Sequence, residues 1–112
     1  MLEVVNVKKV ISSDDLVYIG RKCGTFRGSP LGNPFKIGTD GSRDEVIEKY
    51  RVWLWKMIKS KDVRVCNELR LLVEKIRNGE KVLLGCWCKP SACHGDIVVR
   101  AVRWIVESGY EL

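Results

Sequence analysis

The sequence predicts an α/β fold in which a small sheet of about three strands carries helices packed on it, in the order β-β-loop-α-α-β-α. Two kinds of segment support this class: short β-branched or apolar runs of strand length, and longer segments with apolar residues at helical spacing. Two helices separate the second strand from the third, and so long a crossover makes the strands that it joins parallel. We expect residues 1–112 to form one α/β domain.

The first two predicted strands lie near the amino terminus and are joined by a polar turn at residues 12–15. β-branched residues alternate weakly over Glu3–Lys8, and a second short strand covers Leu16–Ile19, where Gly20 ends it. The third strand is the continuous apolar run Lys81–Trp87. Because this run does not alternate between apolar and polar residues, we expect both of its faces to be covered.

The first predicted helix begins at a capping box, with Ser42 as the N-cap and Glu45 three residues later. Its apolar residues form a single stripe at helical spacing: Val46, Ile47, Tyr50, Trp53, Leu54, Met57 and Ile58. Trp55 lies well outside this stripe.

Two further helices are predicted. One covers about Asp62–Asn78 and is ended by Gly79, and the other covers Gly95–Ser108 and is ended by Gly109. The last helix has a wide apolar arc, which is typical of a helix that is central in a fold or buried against a second subunit. This arc and Trp55 predict a homodimer. Extra cover from the long loop of the same chain explains both features equally well.

Composition indicates the class of ligand and the compartment. The formal net charge is +6, and a basic surface attracts polyanions such as nucleotides or nucleic acid. No apolar run approaches the ~20 residues that span a bilayer, so we expect no membrane partner. The amino terminus lacks the pattern of a secretion signal, which predicts a cytoplasmic protein, or one of the host cytoplasm if it is viral.

A cysteine–histidine motif joins the third strand to the last helix. Three of the five cysteines and the only histidine lie within nine residues, at Cys86, Cys88, Cys93 and His94. One interpretation is a tetrahedral zinc site formed by these four side chains. Its spacing is unusual, because Cys93 and His94 are adjacent and would both have to reach one ion.

A second interpretation is a thiolate site. The amino terminus of a helix carries a partial positive charge and free N–H groups, which lower the pKa of a cysteine and hold an anion. Cys93, His94 and Asp96 lie at that point and are the predicted catalytic residues, as nucleophile or acid and base. A third interpretation is a packed strand end, in which Cys86 is core.

A glycine-rich loop, Gly20–Phe35, follows the second strand and combines glycines with basic side chains. Glycines let backbone amides approach a ligand, and arginine binds phosphate through two hydrogen bonds. Phe26 and Phe35 are candidates for stacking on a base. The predicted ligand-binding residues are Gly20, Arg21, Arg27, Gly28, Ser29, Gly32 and Asn33. An ordinary surface loop with solvated charges is the alternative.

Parallel strands would bring the two loops together, because ligands of open α/β sheets lie at the carboxyl edge. We therefore expect an enzyme that uses cysteine and histidine chemistry on a phosphorylated, nucleotide-like ligand bound between Gly20–Phe35 and Cys86–Asp96. The alternative is a small zinc-stabilised module that binds nucleic acid. No cofactor follows with certainty from the residues, and zinc belongs to the alternative alone.

Four stretches of the chain also resemble a known family: Tyr18–Arg21, Ser29–Phe35, Cys86–Pro90 and Cys93–Asp96. Together and in this order they are similar to the family called domain of unknown function 4326, whose members are short proteins or domains of bacteria, archaea and their viruses. The resemblance covers nearly the whole chain. It implies a single compact domain with both loops as defining features, and it assigns no reaction to them.

Overall fold

In a computed structural model, residues 1–9 and 14–112 are described, and they form one parallel sheet with three helices. The strands are β1 (Leu2–Asn6), β2 (Leu16–Tyr18) and β3 (Val82–Cys86), and the helices are α1 (Arg43–Lys59), α2 (Val63–Arg77) and α3 (His94–Ser108). The predicted α/β class, element order and helical crossover between parallel strands are confirmed. Of the predicted polar turn, residues 12 and 13 lie outside the described residues.

The strand β3 lies at the centre of the sheet, in the order β1-β3-β2, and pairs in parallel with both neighbours. All five of its residues are buried, as the continuous apolar run predicted. Gly85 is needed on one face, because a Cβ atom there would lie 2.7 Å from Val7 Cγ1 and 3.0 Å from Leu16 Cδ1. On the other face Val82 and Leu84 join the core that the helices complete.

The helix ends follow the predicted capping chemistry. Ser42 Oγ accepts a hydrogen bond from the backbone N–H of Glu45, and the Glu45 carboxylate accepts one from the Ser42 N–H, at 3.3 and 3.0 Å. This reciprocal pair satisfies two N–H groups that a helix start would leave free. At the carboxyl end of α3, Gly109 adopts a left-handed conformation with φ of 70°, which favours glycine. No described helix combines the length and the apolar character needed to cross a membrane.

The glycine-rich loop is closed by a hydrogen bond within it and is held to the core through Leu31. Its backbone closes where the Ser29 N–H donates to the Gly20 carbonyl at 2.9 Å. Leu31 is fully buried, and its carbonyl accepts a 2.7 Å hydrogen bond from the hydroxyl of Tyr50 in α1. The loop is therefore fixed against the helix that follows it.

Replacing Tyr50 with phenylalanine should lower the free energy of unfolding by about 1–2 kcal/mol, because the Leu31 carbonyl loses a buried hydrogen bond. Urea unfolding measures the change. Tyr110→Phe is the matched control, since Tyr110 is only partly buried and its ring packs on Trp104. Equal effects of the two substitutions would contradict the role given to the Tyr50 hydroxyl.

Candidate functional site

A cavity of about 360 Å³ lies where the two predicted loops meet the amino-terminal ends of α1 and α3. Its walls come from both loops and from α1: Gly20, Arg21, Asn33, Phe35, Lys36, Ile37, Thr39, Arg43, Val46, Ile47, Cys86, Trp87, Cys88, Ala92, Cys93 and His94. The loops follow the carboxyl ends of the neighbouring parallel strands β2 and β3. The expectation that these distant segments meet at one sheet edge is confirmed.

The side chains around this cavity are cationic and aromatic. Arg21, Lys36 and Arg43 contribute positive charge, and no aspartate or glutamate is among the lining residues. The rings of Phe35 and Trp87 supply flat apolar surface. Such a lining attracts anions, and arginine adds directional hydrogen bonds to phosphate or carboxylate oxygens.

His94 is held in one orientation at the first turn of α3. Its Nε2–H donates to the Ile19 carbonyl at 2.7 Å, and its ring packs edge-on against Tyr50 with centroids 5.0 Å apart. Burial lowers the pKa of His94, and the nearby positive charge of Arg21 acts in the same direction against the opposing effect of the Ile19 bond. The imidazole is therefore neutral near pH 7, and Nδ1 remains a proton acceptor.

The thiols of Cys86 and Cys93 form a buried pair with their sulfurs 3.3 Å apart. The hydrogen bond from Cys93 lowers the pKa of Cys86 from 9.0 to about 6, and the backbone N–H groups of Cys88 and Lys89 contribute to the decrease. The same contact and burial raise the pKa of Cys93, so Cys93 retains its proton and donates it toward the Cys86 sulfur when Cys86 is ionised. The sequence pointed to Cys93 as the candidate thiolate, whereas the lowered pKa of the pair belongs to Cys86.

Asp96 does not line the cavity. Its carboxylate accepts from the backbone N–H of Cys93 at 3.2 Å and from Lys89 Nζ at 2.8 Å. The ion pair with Asp96 also raises the pKa of Lys89. In this structure Asp96 fixes the loop at the start of α3, rather than facing the cavity as the predicted catalytic role would require.

The predicted ligand-binding residues divide into two groups. Gly20, Arg21 and Asn33 line the cavity, whereas the remaining four do not: Arg27, Gly28, Ser29 and Gly32. Gly32 serves the turn instead, because a Cβ atom there would lie 3.1 Å from both the Gly20 and Ser29 carbonyl oxygens. Close backbone packing explains these glycines, and the sequence pattern alone does not distinguish packing from ligand contact.

Some polar and aromatic side chains of the glycine-rich loop contact other residues of the same chain. The Asn33 amide donates to the Val46 carbonyl at 3.3 Å and accepts from the Phe35 N–H at 2.9 Å. One face of Phe26 stacks on Tyr18 with centroids 4.5 Å apart, and Phe26 does not line the cavity. Phe35, the other predicted stacking residue, lines the cavity.

The four predicted zinc ligands are not arranged around one point. Within residues 1–9 and 14–112, no group of three or more His, Cys, Asp or Glu side chains is placed to hold a metal ion. Cys86 and Cys93 face each other, while the Nε2 atom of His94 is bound to a carbonyl. The adjacent positions of Cys93 and His94 at a helix start explain why both do not reach one centre.

Sequence reasoning missed Arg43 and Trp87 as cavity residues. Arg43 begins α1, and its Nη1 donates to the Ala92 carbonyl at 3.0 Å, which ties α1 to the cysteine–histidine loop. Trp87 directly follows β3, and its Nε1–H donates to the Tyr18 hydroxyl at 2.9 Å. The sequence held one signal for Arg43, which is that it directly follows Ser42, the predicted N-cap, and therefore lies at the start of a helix.

The comparisons with known proteins agree with the motifs. The family described as "Domain of unknown function (DUF4326)" matches residues 4–104. An Enterobacteria phage T4 protein, described as an uncharacterized 12.4 kDa protein in the nrdA-td intergenic region, is 32% identical over 112 residues, which is all of this chain and 87% of the phage protein. No solved structure matches. Because the family model matches nearly the whole chain, this protein belongs to the DUF4326 family.

Proposed function

We propose that the protein is an enzyme that binds a phosphorylated, nucleotide-like ligand between the Gly20–Phe35 and Cys86–Asp96 loops. The observation that carries this proposal is the composition of the cavity wall, which contains three cationic side chains, two aromatic rings and no carboxylate. The cations suit a phosphate group, and the rings suit a flat base. A volume of about 360 Å³ favours a mononucleotide over a larger ligand.

The chemistry of the site rests on three side chains that line this cavity. Cys86 is the candidate nucleophile, because its lowered pKa provides a thiolate near pH 7. Cys93 donates the hydrogen bond that keeps Cys86 ionised, and His94 accepts a proton through Nδ1. These assignments revise the expectation in which Cys93 was the nucleophile and Asp96 moved a proton.

Arg21→Ala should weaken the binding of nucleoside monophosphates by about tenfold or more, since a hydrogen bond to a charged group contributes about 1.5–3 kcal/mol. Arg27→Ala is the matched control: Arg27 belongs to the same loop and is exposed, but it does not line the cavity. Calorimetric titration with a nucleoside monophosphate, its nucleoside and inorganic phosphate measures both variants. Mass spectrometry of the same mixtures detects conversion of the nucleotide.

The ligand series separates the two parts of the proposal. Binding of the nucleotide with no effect of Arg21→Ala would place the phosphate elsewhere. Equal affinity for nucleoside and nucleotide would mean that the protein does not recognise the phosphate group. Nucleotide binding without conversion, in the wild-type protein and in Cys86→Ala alike, would leave a binding protein and contradict the catalytic part.

A further inference from the structure

A second groove lies on the outer side of α1, and its lining residues are separate from those of the cavity. It is lined by Arg51, Val52, Trp55, Lys56, Lys59 and Ser60, with three cations and no carboxylate among them. Glu48 pairs with Arg51, so part of that charge is balanced, whereas no salt bridge involving Lys56 or Lys59 is formed within the described part of the chain. The groove is therefore basic on its solvent side.

Aromatic rings extend this groove from α1 onto α3. Trp55 meets Trp104 edge to face with ring centroids 4.9 Å apart, and Tyr110 follows at 5.1 Å from Trp104. Trp104 remains 39% exposed although it makes both contacts. Beyond the rings, Lys61 Nζ lies 5.7 Å above the Tyr110 ring. We call the groove with Trp55, Trp104 and Lys61 the aromatic–basic face.

We propose that the aromatic–basic face binds single-stranded nucleic acid. Lysines along a groove neutralise phosphates, and partly exposed rings beside them provide surfaces on which unpaired bases stack. Duplex nucleic acid keeps its bases stacked on one another and offers these rings no partner. A mixture of exposed cations and exposed rings on adjacent helices thus fits a single strand better than a duplex.

Charge also argues against a second copy of this chain as the occupant. A two-fold dimer through this face would pack two basic surfaces against each other, and like charges in one interface oppose association. Trp55, which predicted a homodimer in the sequence, is covered within the chain by Trp104 of α3. Neither the long loop nor a second subunit is needed to explain its position.

The test is fluorescence anisotropy of labelled dT15 and rU15 with the full chain. The double variant Lys56→Glu/Lys59→Glu should bind at least about tenfold more weakly, with a shallower dependence on salt, because fewer counterions are released. Trp104→Ala should weaken binding by about tenfold with little change in the salt dependence, since it removes stacking and no charge.

Lys8→Glu/Lys81→Glu is the matched control, because it makes the same change in net charge at two exposed lysines on other elements, after β1 and before β3. Like Lys56 and Lys59, these lysines form no salt bridge within the described part of the chain. The control variant should bind nearly as the wild-type protein does. Circular dichroism confirms that each variant is folded, and nucleotide titrations of the cavity are run in parallel. Loss of oligonucleotide binding with intact nucleotide binding separates this proposal from the one made for the cavity.

Three results would overturn the proposal. One is the absence of oligonucleotide binding, and another is equal weakening by the control and test variants. Binding of a duplex as tightly as a single strand would refute the stacking role of the rings. Light scattering that shows a dimer of the wild-type protein and a monomer of Trp104→Ala would make the face a self-interface instead.

Discussion

Replacing Gly95 with alanine is expected to lower the free energy of unfolding by about 1–3 kcal/mol, the range found for added volume in a packed core. A Cβ atom at Gly95 would lie 2.9 Å from Val4 Cγ1 and 3.1 Å from Ile19 Cδ1. At an ordinary helical position the same substitution would stabilise the protein, because alanine favours the helix. The sign of the change therefore reports how closely α3 approaches β1 and the end of β2.

The matched experiment is a double-mutant cycle with Val4→Ala, measured by urea unfolding. Val4→Ala alone leaves a gap, but it also removes both methyl groups that the new Cβ atom would meet. The double variant should therefore be more stable than the sum of the single changes predicts. Simple additivity would mean that the cost of Gly95→Ala does not arise from contact with Val4.

The elements of the fold were predictable because their signals are local. The capping pair of Ser42 and Glu45, the helical stripe behind it and the glycine after α3 each depend on residues a few positions apart. Even the meeting of the two loops follows from one inference, the parallel pairing of strands joined by a crossover. Strand bounds were less certain, and β1 covers Leu2–Asn6 rather than Glu3–Lys8.

The roles of individual side chains depend on contacts that no local pattern contains. Asp96 carries the right chemistry for a proton transfer, but its carboxylate binds Lys89 and the Cys93 N–H. Phe26 has the ring that base stacking needs, yet one of its faces packs on Tyr18 and it does not line the cavity. In both cases the residue type indicates what the side chain is able to do, but in the fold the side chain contacts other residues of the same chain.

The ionisation of Cys86 and Cys93 also depends on contacts that the local sequence does not contain. A helix amino terminus lowers the pKa of a thiol at that position, which favoured Cys93 in the sequence. When one of two thiols 3.3 Å apart is ionised, the other donates a hydrogen bond to it. The N–H groups of Cys88 and Lys89 favour the charge on Cys86, and the N–H of Gly95 favours it on Cys93. The balance depends on backbone N–H groups whose positions only the folded loop defines.

Cys93→Ala should therefore raise the pKa of Cys86 from about 6 toward the ordinary thiol value of 9.0, because the largest cause of its decrease is removed. A hydrogen bond to a charged group contributes about 1.5–3 kcal/mol, which corresponds to an increase of about one to two in pKa. About nine-tenths of the wild-type Cys86 is ionised at pH 7, and in the variant about half or less. The ultraviolet absorbance of the thiolate, titrated against pH and compared with Cys86→Ala, measures this fraction.

Cys93→Ser distinguishes hydrogen bonding from packing in the same titration. A serine hydroxyl retains a donor facing Cys86, so the pKa of Cys86 should stay well below that in Cys93→Ala. If both substitutions raise the pKa equally, packing of the Cys93 sulfur, and not a hydrogen bond from it, lowers the pKa of Cys86. If neither raises it, the backbone N–H groups of Cys88 and Lys89 stabilise the charge alone. A thiolate that persists at pH 7 in Cys86→Ala and is lost in Cys93→Ala would contradict the assignment and make Cys93 the candidate nucleophile.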